Sequence, residues 1–157
     1  MKISIIAILL IITSACTAQQ LLSYDDFTFI LTNNLQRDDA FIQSKGYVPI
    51  VTKKQREGHK KYTLQLPNGY SSEVEIRADG KRLNINIFTD YPDQYNLVTN
   101  SIAPYVLSKE SNEDILSYRV KDLGNIYVVV TDKAPYNPLR KDYAIRIVAD
   151  KDITANN

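Results

Sequence analysis

The sequence predicts an α+β fold: one antiparallel sheet built from two halves, each a helix followed by a β-meander, with the helices packed on one sheet face. Three observations lead there. First, Tyr24 to Leu35 and Tyr91 to Ile102 repeat one helical pattern. Tyr24 matches Tyr91, Asp26 matches Asp93, Thr32 matches Thr99 and Asn33 matches Asn100, while Ile30/Leu97, Leu31/Val98 and Leu35/Ile102 are apolar pairs. Second, each copy is followed by runs that alternate apolar and polar residues, the period of a half-buried strand. Third, short turn signals separate those runs and so join neighbours antiparallel. The half-repeats cover about 24–90 and 91–150 within a single domain of residues 19–157.

Taken in order, the chain begins with a leader. Lys2 gives a short positive start, Ile3 to Ile12 is unbroken apolar sequence, and Thr13 to Ala18 is small and polar. That is the pattern of a secretory signal peptide over residues 1–18, too short for a comfortable membrane span. The chain is therefore expected to be exported. Removing Lys2 leaves 18 of the 19 basic residues against 18 acidic ones, so no global charge draws the domain to nucleic acid or to an anionic membrane. About 140 residues remain, enough to bury one core.

Cys16 is the sole cysteine, and no disulfide can form within one chain. Ser14-Ala15-Cys16 resembles the lipobox of bacterial lipoproteins. The resemblance implies cleavage before Cys16, a diacylglyceryl anchor on its thiol, and a place in the periplasm or outer membrane. Thr13 departs from that pattern, where a larger aliphatic residue is usual. Cys16-Thr17-Ala18 also reads as a small-x-small site, whose cleavage would release a soluble secreted protein starting at Gln19.

Ser23 is placed to cap the first helix, with Asp25 and Asp26 where the helix dipole favours negative charge. Phe27, Ile30, Leu31 and Leu35 form its apolar stripe. The helical pattern continues through Phe41 and Ile42, as one bent helix or two, until Gly46 ends it as a left-handed cap. Tyr47 to Val51 reads as a first strand, put at an edge by Pro49. Tyr62 to Leu66, Glu73 to Ala78 and Leu83 to Ile87 form a three-stranded meander, turned at Pro67-Asn68-Gly69-Tyr70 and at Ala78-Asp79-Gly80-Lys81.

Tyr91 to Ile102 is the next helix, capped by Asp90, with Pro92 in its first turn and Pro104 beyond its end. Tyr95, Val98 and Ile102 face inward. Ile115 to Val120 and Ile126 to Thr131 make a hairpin across Lys121 to Gly124. The run Ile126 to Val130 lacks alternation, which predicts a central strand covered on both faces. A loop from Ala134 to Lys141 leads to a last strand, Tyr143 to Val148, and a frayed polar tail from Lys151 to Asn157. The predicted order is α-β-β-β-β-α-β-β-β.

Helix-then-meander halves in a small exported chain resemble the β-lactamase-inhibitor-like fold, which also occurs in some outer-membrane lipoproteins. The resemblance implies a protein-binding module rather than an enzyme. A lipoprotein-like leader on a small Tyr-, Asn- and Lys-rich domain is also similar to small exported proteins of Bacteroidetes.

The chemistry-bearing residues are few. His59 is the only histidine, and the mature body has no cysteine nucleophile, Gly-x-Ser-x-Gly or Ser-x-x-Lys. The same shortage excludes a zinc site, and neither a Gly-rich phosphate loop nor calcium-loop spacing is present, so no cofactor is expected. Among the pairs Asp25/Asp26, Asp38/Asp39 and Glu73/Glu75, only the last shares a strand face. Arg77 continues that face, which predicts a solvated surface. The alternative is a hydrolase or glycan-processing enzyme using these carboxylates or the Asp residues near Tyr91.

Between Lys53 and Lys61, five basic residues (Lys53, Lys54, Arg56, Lys60 and Lys61) surround His59 against one Glu57. The run is either a solvated hairpin loop or a patch for phosphates, glycan or acidic protein. Tyr70 and Tyr91, at element ends, are candidates for a recognition surface, whereas Tyr62, Tyr95, Tyr127 and Tyr143 read as core or strand residues. The expected function is an exported, non-catalytic envelope protein, a lipoprotein that binds another protein or a surface polymer. It would touch membrane only through its anchor, and no nucleic acid. A secreted inhibitor or immunity-type protein is a further alternative.

Overall fold

The computed structural model describes residues 21–51, 58–79, 82–112, 114–132 and 140–152. The leader with Cys16, the basic residues Lys53, Lys54 and Arg56, the turn residues Gly80 and Lys81, most of the 134–141 loop and residues 153–157 lie outside them. The described residues contain the helices α1 (Tyr24–Thr32), α2 (Leu35–Ser44) and α3 (Pro92–Ile102). The strands are β1 (Val48–Pro49), β2 (His59–Gln65), β3 (Ser71–Asp79), β4 (Arg82–Thr89), β5 (Val106–Asn112), β6 (Ile115–Val120), β7 (Gly124–Asp132) and β8 (Lys141–Asp152). All eight belong to one antiparallel sheet in the order β1-β2-β3-β4-β8-β7-β6-β5.

The order shows two four-stranded meanders, β1 to β4 and β5 to β8, joined through their last strands. At that seam Ile85 lies opposite Ile147 and Ile87 opposite Ile145. Strand side chains alternate between faces, so these residues share one face with Tyr62, Leu64, Val74, Ile76, Leu83, Ile126 and Val128. That face meets Phe27 and Ile30 of α1, Ile42 of α2, and Val98 and Ile102 of α3 in a single core. The helices therefore cover one side of the sheet, as the alternation predicts.

Residues 24–45 form two helices rather than one. Asn33 and Asn34 are extended, and the Asn34 side chain accepts the Arg37 N–H at 3.0 Å to start α2. At the start of α1 the Asp26 carboxylate accepts from the Ser23 N–H at 2.8 Å and from its hydroxyl at 3.0 Å. Lys45 Nζ, at the end of α2, reaches the same carboxylate at 2.7 Å and ties the two helices together. Gly46 closes α2 with φ of +90° and its N–H on the Gln43 carbonyl, as expected of a left-handed cap.

Three expectations are corrected. The structure adds an edge strand, β5, whose side chains beyond Val106 are all exposed, so it carries no apolar alternation to read. Asp90 does not cap α3: its Oδ1 accepts the Ser71 N–H at 2.8 Å, fastening the start of β3, and Tyr91 occupies the N-cap position. The strand β7 is central, but among the described residues only one of its faces is covered by other elements, leaving Tyr127 37% exposed. Gln94, unnoticed in the sequence, is fully buried in α3. Its amide accepts the Leu22 N–H at 3.0 Å and donates to the Leu22 carbonyl at 2.8 Å, so α3 holds the chain entering α1.

Two glycines separate local strain from tertiary clash. Gly69, in the Asn68–Gly69 turn, has φ of +73° and open space where a Cβ would stand. Gly124 has φ of +118°, and a Cβ there would lie 2.3 Å from the Val148 carbonyl oxygen. We expect Gly69→Ala to cost about 1 kcal/mol and Gly124→Ala at least about 3 kcal/mol, read as urea midpoints. Equal costs would contradict the close approach of β7 to β8.

Asp38 faces inward from α2 at 1% exposure, and among the described residues neither of its oxygens has a hydrogen-bond partner. Burial pushes its carboxyl from 3.8 up to about 7. The folded state holds this proton more tightly than the unfolded chain. Stability therefore falls as pH rises from about 4 to about 7 and levels off above. Asp38→Asn is expected to remove that slope and to raise stability at pH 8 by roughly 2–3 kcal/mol. Urea midpoints of both proteins at pH 4, 6 and 8 check this, and parallel profiles would contradict it.

Candidate binding face

No described element covers the opposite face of the sheet. Its residues follow from the strand registers, which set three rows across the strands. The first row runs Glu73, Phe88, Ala144, Val129, Ile115. The second runs Lys61, Glu75, Asn86, Arg146, Tyr127, Ser117, Glu110. The third runs His59, Arg77, Asn84, Val148, Asn125, Arg119, Ser108. The face is thus apolar along one row and increasingly polar across the next two.

Apolar side chains in the first two rows remain open to solvent. Phe88 is 49% exposed and Ile115 45% exposed, with Tyr127 between them in the adjoining row. Ala144, the smallest side chain of its row, lies between Phe88 and Val129 and forms the floor of a depression. A cleft of about 560 Å³ opens there, lined by Phe88, Ile115, Tyr127, Val129 and Ala144 on its apolar side and by Glu75, Arg77, Asn84, Asn86 and Arg146 on its polar side. A second cleft of about 440 Å³ continues past Phe88 toward Glu73, Asp90 and Asp142.

The polar side is organised by Glu75. This residue is only 4% exposed. Its Oε1 accepts from Lys61 Nζ and Arg77 Nη2, each at 3.0 Å, and lies 2.5 Å from His59 Nε2. Its Oε2 accepts from Asn86 Nδ2 at 3.1 Å. Burial opposes the ionised form, but bonds from Arg77, Lys61, His59 and Asn86 outweigh it and hold the carboxyl down to about 2. The sequence reading of Glu73 and Glu75 as one solvated pair is therefore corrected: both occupy the outer face, yet only Glu73 is exposed.

The other sequence-predicted residues divide. His59, Lys60 and Lys61 belong to β2 rather than to a loop, because their pairing with β3 puts them in the sheet. His59 and Lys61 join the Glu75 cluster, whereas Lys60, opposite Ile76, points to the other side and is exposed. Tyr70 and Tyr91 come together with ring centroids 5.1 Å apart, and the Arg140 guanidinium sits 4.6 Å over the Tyr70 ring. Both tyrosines are partly buried against the core, away from the three rows. Tyr127, read as a strand position needing no further role, is instead central to the open face. Phe88 and Arg146 were missed as well. The available signal was Phe88 falling out of phase with Leu83, Ile85 and Ile87, together with the unalternating run in β7.

No family model, curated protein or solved structure matches this chain. Among the described residues no helix is long and apolar enough to cross a membrane, and no three His, Cys, Asp or Glu side chains gather to hold a metal ion. The Glu75 cluster is a fixed electrostatic device: a carboxylate held ionised by several donors neither takes up nor releases a proton near neutral pH.

Glu75 contributes stability fully above its ordinary value of 4.5 and loses it as pH falls through about 2. Glu75→Gln should cost roughly 2 kcal/mol at pH 7, because Lys61 and Arg77 then face a neutral amide. It should also flatten the acid limb of the stability profile below pH 4.5. Urea midpoints from pH 2.5 to 7 test both effects, and an unaltered acid limb would show that the cluster contributes nothing.

Proposed function

We propose that this protein is an exported, non-catalytic binding module, anchored in the cell envelope through Cys16, that grips another protein or a surface polymer with the open face of its sheet. The observation that carries the reading is the group of exposed apolar side chains, Phe88, Ile115 and Tyr127, over a cleft of about 560 Å³. Large side chains left open together on a rigid surface, rimmed by fixed charges, have the make-up of an interaction site. The lipobox-like Ser14-Ala15-Cys16 and the apolar leader support the location. Tight anchoring of Glu75, the best-placed carboxylate of the face, favours recognition over acid–base work. The element order and its resemblance to inhibitor-like folds agree with a module that binds protein.

A photo-crosslinking amino acid at Phe88 or at Tyr127, introduced in the native host, tests the reading in intact cells. The expected result is one discrete adduct in the membrane fraction, lost when Ile115→Ser is added, on a chain whose intact mass includes a diacylglyceryl group at Cys16. The same crosslinker at Phe29, exposed on α1, serves as the control and should give none. Equal adducts from both surfaces would overturn the face assignment, and a soluble chain starting at Gln19 would overturn the anchor.

A further inference from the structure

We infer that Arg146 is a carboxylate-receiving centre, and that the segment this face takes up is an extended peptide carrying an acidic residue two positions from an apolar one. The inference rests on the open-face reading above and adds the chemistry of the occupant. Among the described residues, the other cations around Arg146 are engaged: Lys61 and Arg77 on Glu75, Arg119 on Asp150. Arg146 is exposed, lines the main cleft from the centre of β8, and has no hydrogen-bond or ion-pair partner among the described residues. Its neighbours across the strands are Asn86 and Tyr127.

Charge gives the sign of the occupant. Arg77 and Arg146 outnumber Glu75 on the polar side of the main cleft, with Lys61 behind Glu75, whereas Glu73 and Asp142 line the second cleft beyond Phe88. A negative group is therefore drawn to Arg146 and repelled from the far end. A guanidinium receives a carboxylate through two parallel N–H bonds, and Arg77 and Arg119, the other guanidinium groups of the three rows, already hold Glu75 and Asp150.

Register gives the spacing. Ala144 lies two residues from Arg146 on the same strand and face, so the apolar depression starts about 6.8 Å from the guanidinium's own strand position. An extended peptide laid along β8 presents residues i and i+2 at that same interval. Its acidic side chain meets Arg146, and its apolar side chain seats on Ala144 between Phe88 and Val129. Aliphatic Ile115 and Val129 beside the aromatic rings favour a peptide over a sugar, which would need more hydrogen-bonding groups along that row.

Fluorescence anisotropy with the protein purified from its host tests this, using labelled, capped peptides containing Glu-x-Phe, Gln-x-Phe or Glu-x-Ser. Binding of Glu-x-Phe should exceed that of each of the others by roughly tenfold. Arg146→Gln should remove the preference for Glu over Gln, whereas Arg119→Gln, on the same face, should keep it. Circular dichroism confirms that both variants fold. No peptide binding, equal binding of the Glu and Gln peptides, or an unaffected Arg146→Gln would overturn the carboxylate assignment. Displacement of Glu-x-Phe by a galacturonate oligomer at lower concentration than by unlabelled peptide would overturn it in favour of an acidic glycan. If the crosslinked adduct of intact cells survives in Arg146→Gln, the open-face reading stands and this inference alone falls.

Discussion

The pairing of β4 with β8 is the constraint on which the rest of this molecule depends. These strands end the two meanders, and their registers set which residues of both halves share a face. Side chains alternate with a period of two, so a slip of one residue would exchange the faces completely. With β4 held in place, Ile145 and Ile147 would turn outward while Arg146 would enter the core. Burying each of these isoleucines is worth roughly 2–3 kcal/mol, and placing an unpaired guanidinium inside would cost several more. The seam is therefore strongly specified, and with it the composition of the open face.

The open face is a joint product of both halves. The first meander supplies the charges, His59, Lys61, Glu75 and Arg77, and also Phe88. The second supplies Ile115, Tyr127, Val129 and Arg146. The main cleft needs both, since Phe88 and Glu75 line it from one half and Ile115, Tyr127 and Arg146 from the other. Glu75 stiffens the cationic part by gathering three donors on one oxygen and Asn86 on the other, so side chains from β2, β3 and β4 are tied together; in the proposed role such ordering would spare entropy on binding.

Much of the fold was legible because half-covered strands alternate. The strands β2, β3 and β4, the Asn68–Gly69 turn, the left-handed cap at Gly46 and the edge position of Pro49 all follow from local rules. What escaped depends on distant neighbours. Val106 to Asn112 pairs with β6, yet its side chains beyond Val106 are exposed and carry no alternation that records it. Asp90 satisfies a capping rule, yet a strand N–H from Ser71 reaches it first. Glu75 looks like any outward strand residue until Lys61 and Arg77 are seen to close over it. The run Ile126 to Val130 lacks alternation because its outward residues Tyr127 and Val129 are apolar too, and a second covering layer would give the same pattern.

Both edges of the sheet carry features that oppose the addition of a further strand. Strand β1 is only two residues long and contains Pro49, which removes a ladder donor. At the other edge β5 carries exposed Lys109 and Glu110, and Lys109 folds over the Tyr118 ring at 5.4 Å rather than extending the strand's apolar character. Short length, proline and edge charges are the usual means by which sheets discourage strand addition. Helices occupy one face, both edges are blunted, and the remaining face keeps Phe88, Ile115 and Tyr127 open beside an uncommitted Arg146. Under the proposed binding role, this arrangement favours association through the face, where side-chain chemistry rather than backbone hydrogen bonding would select the partner.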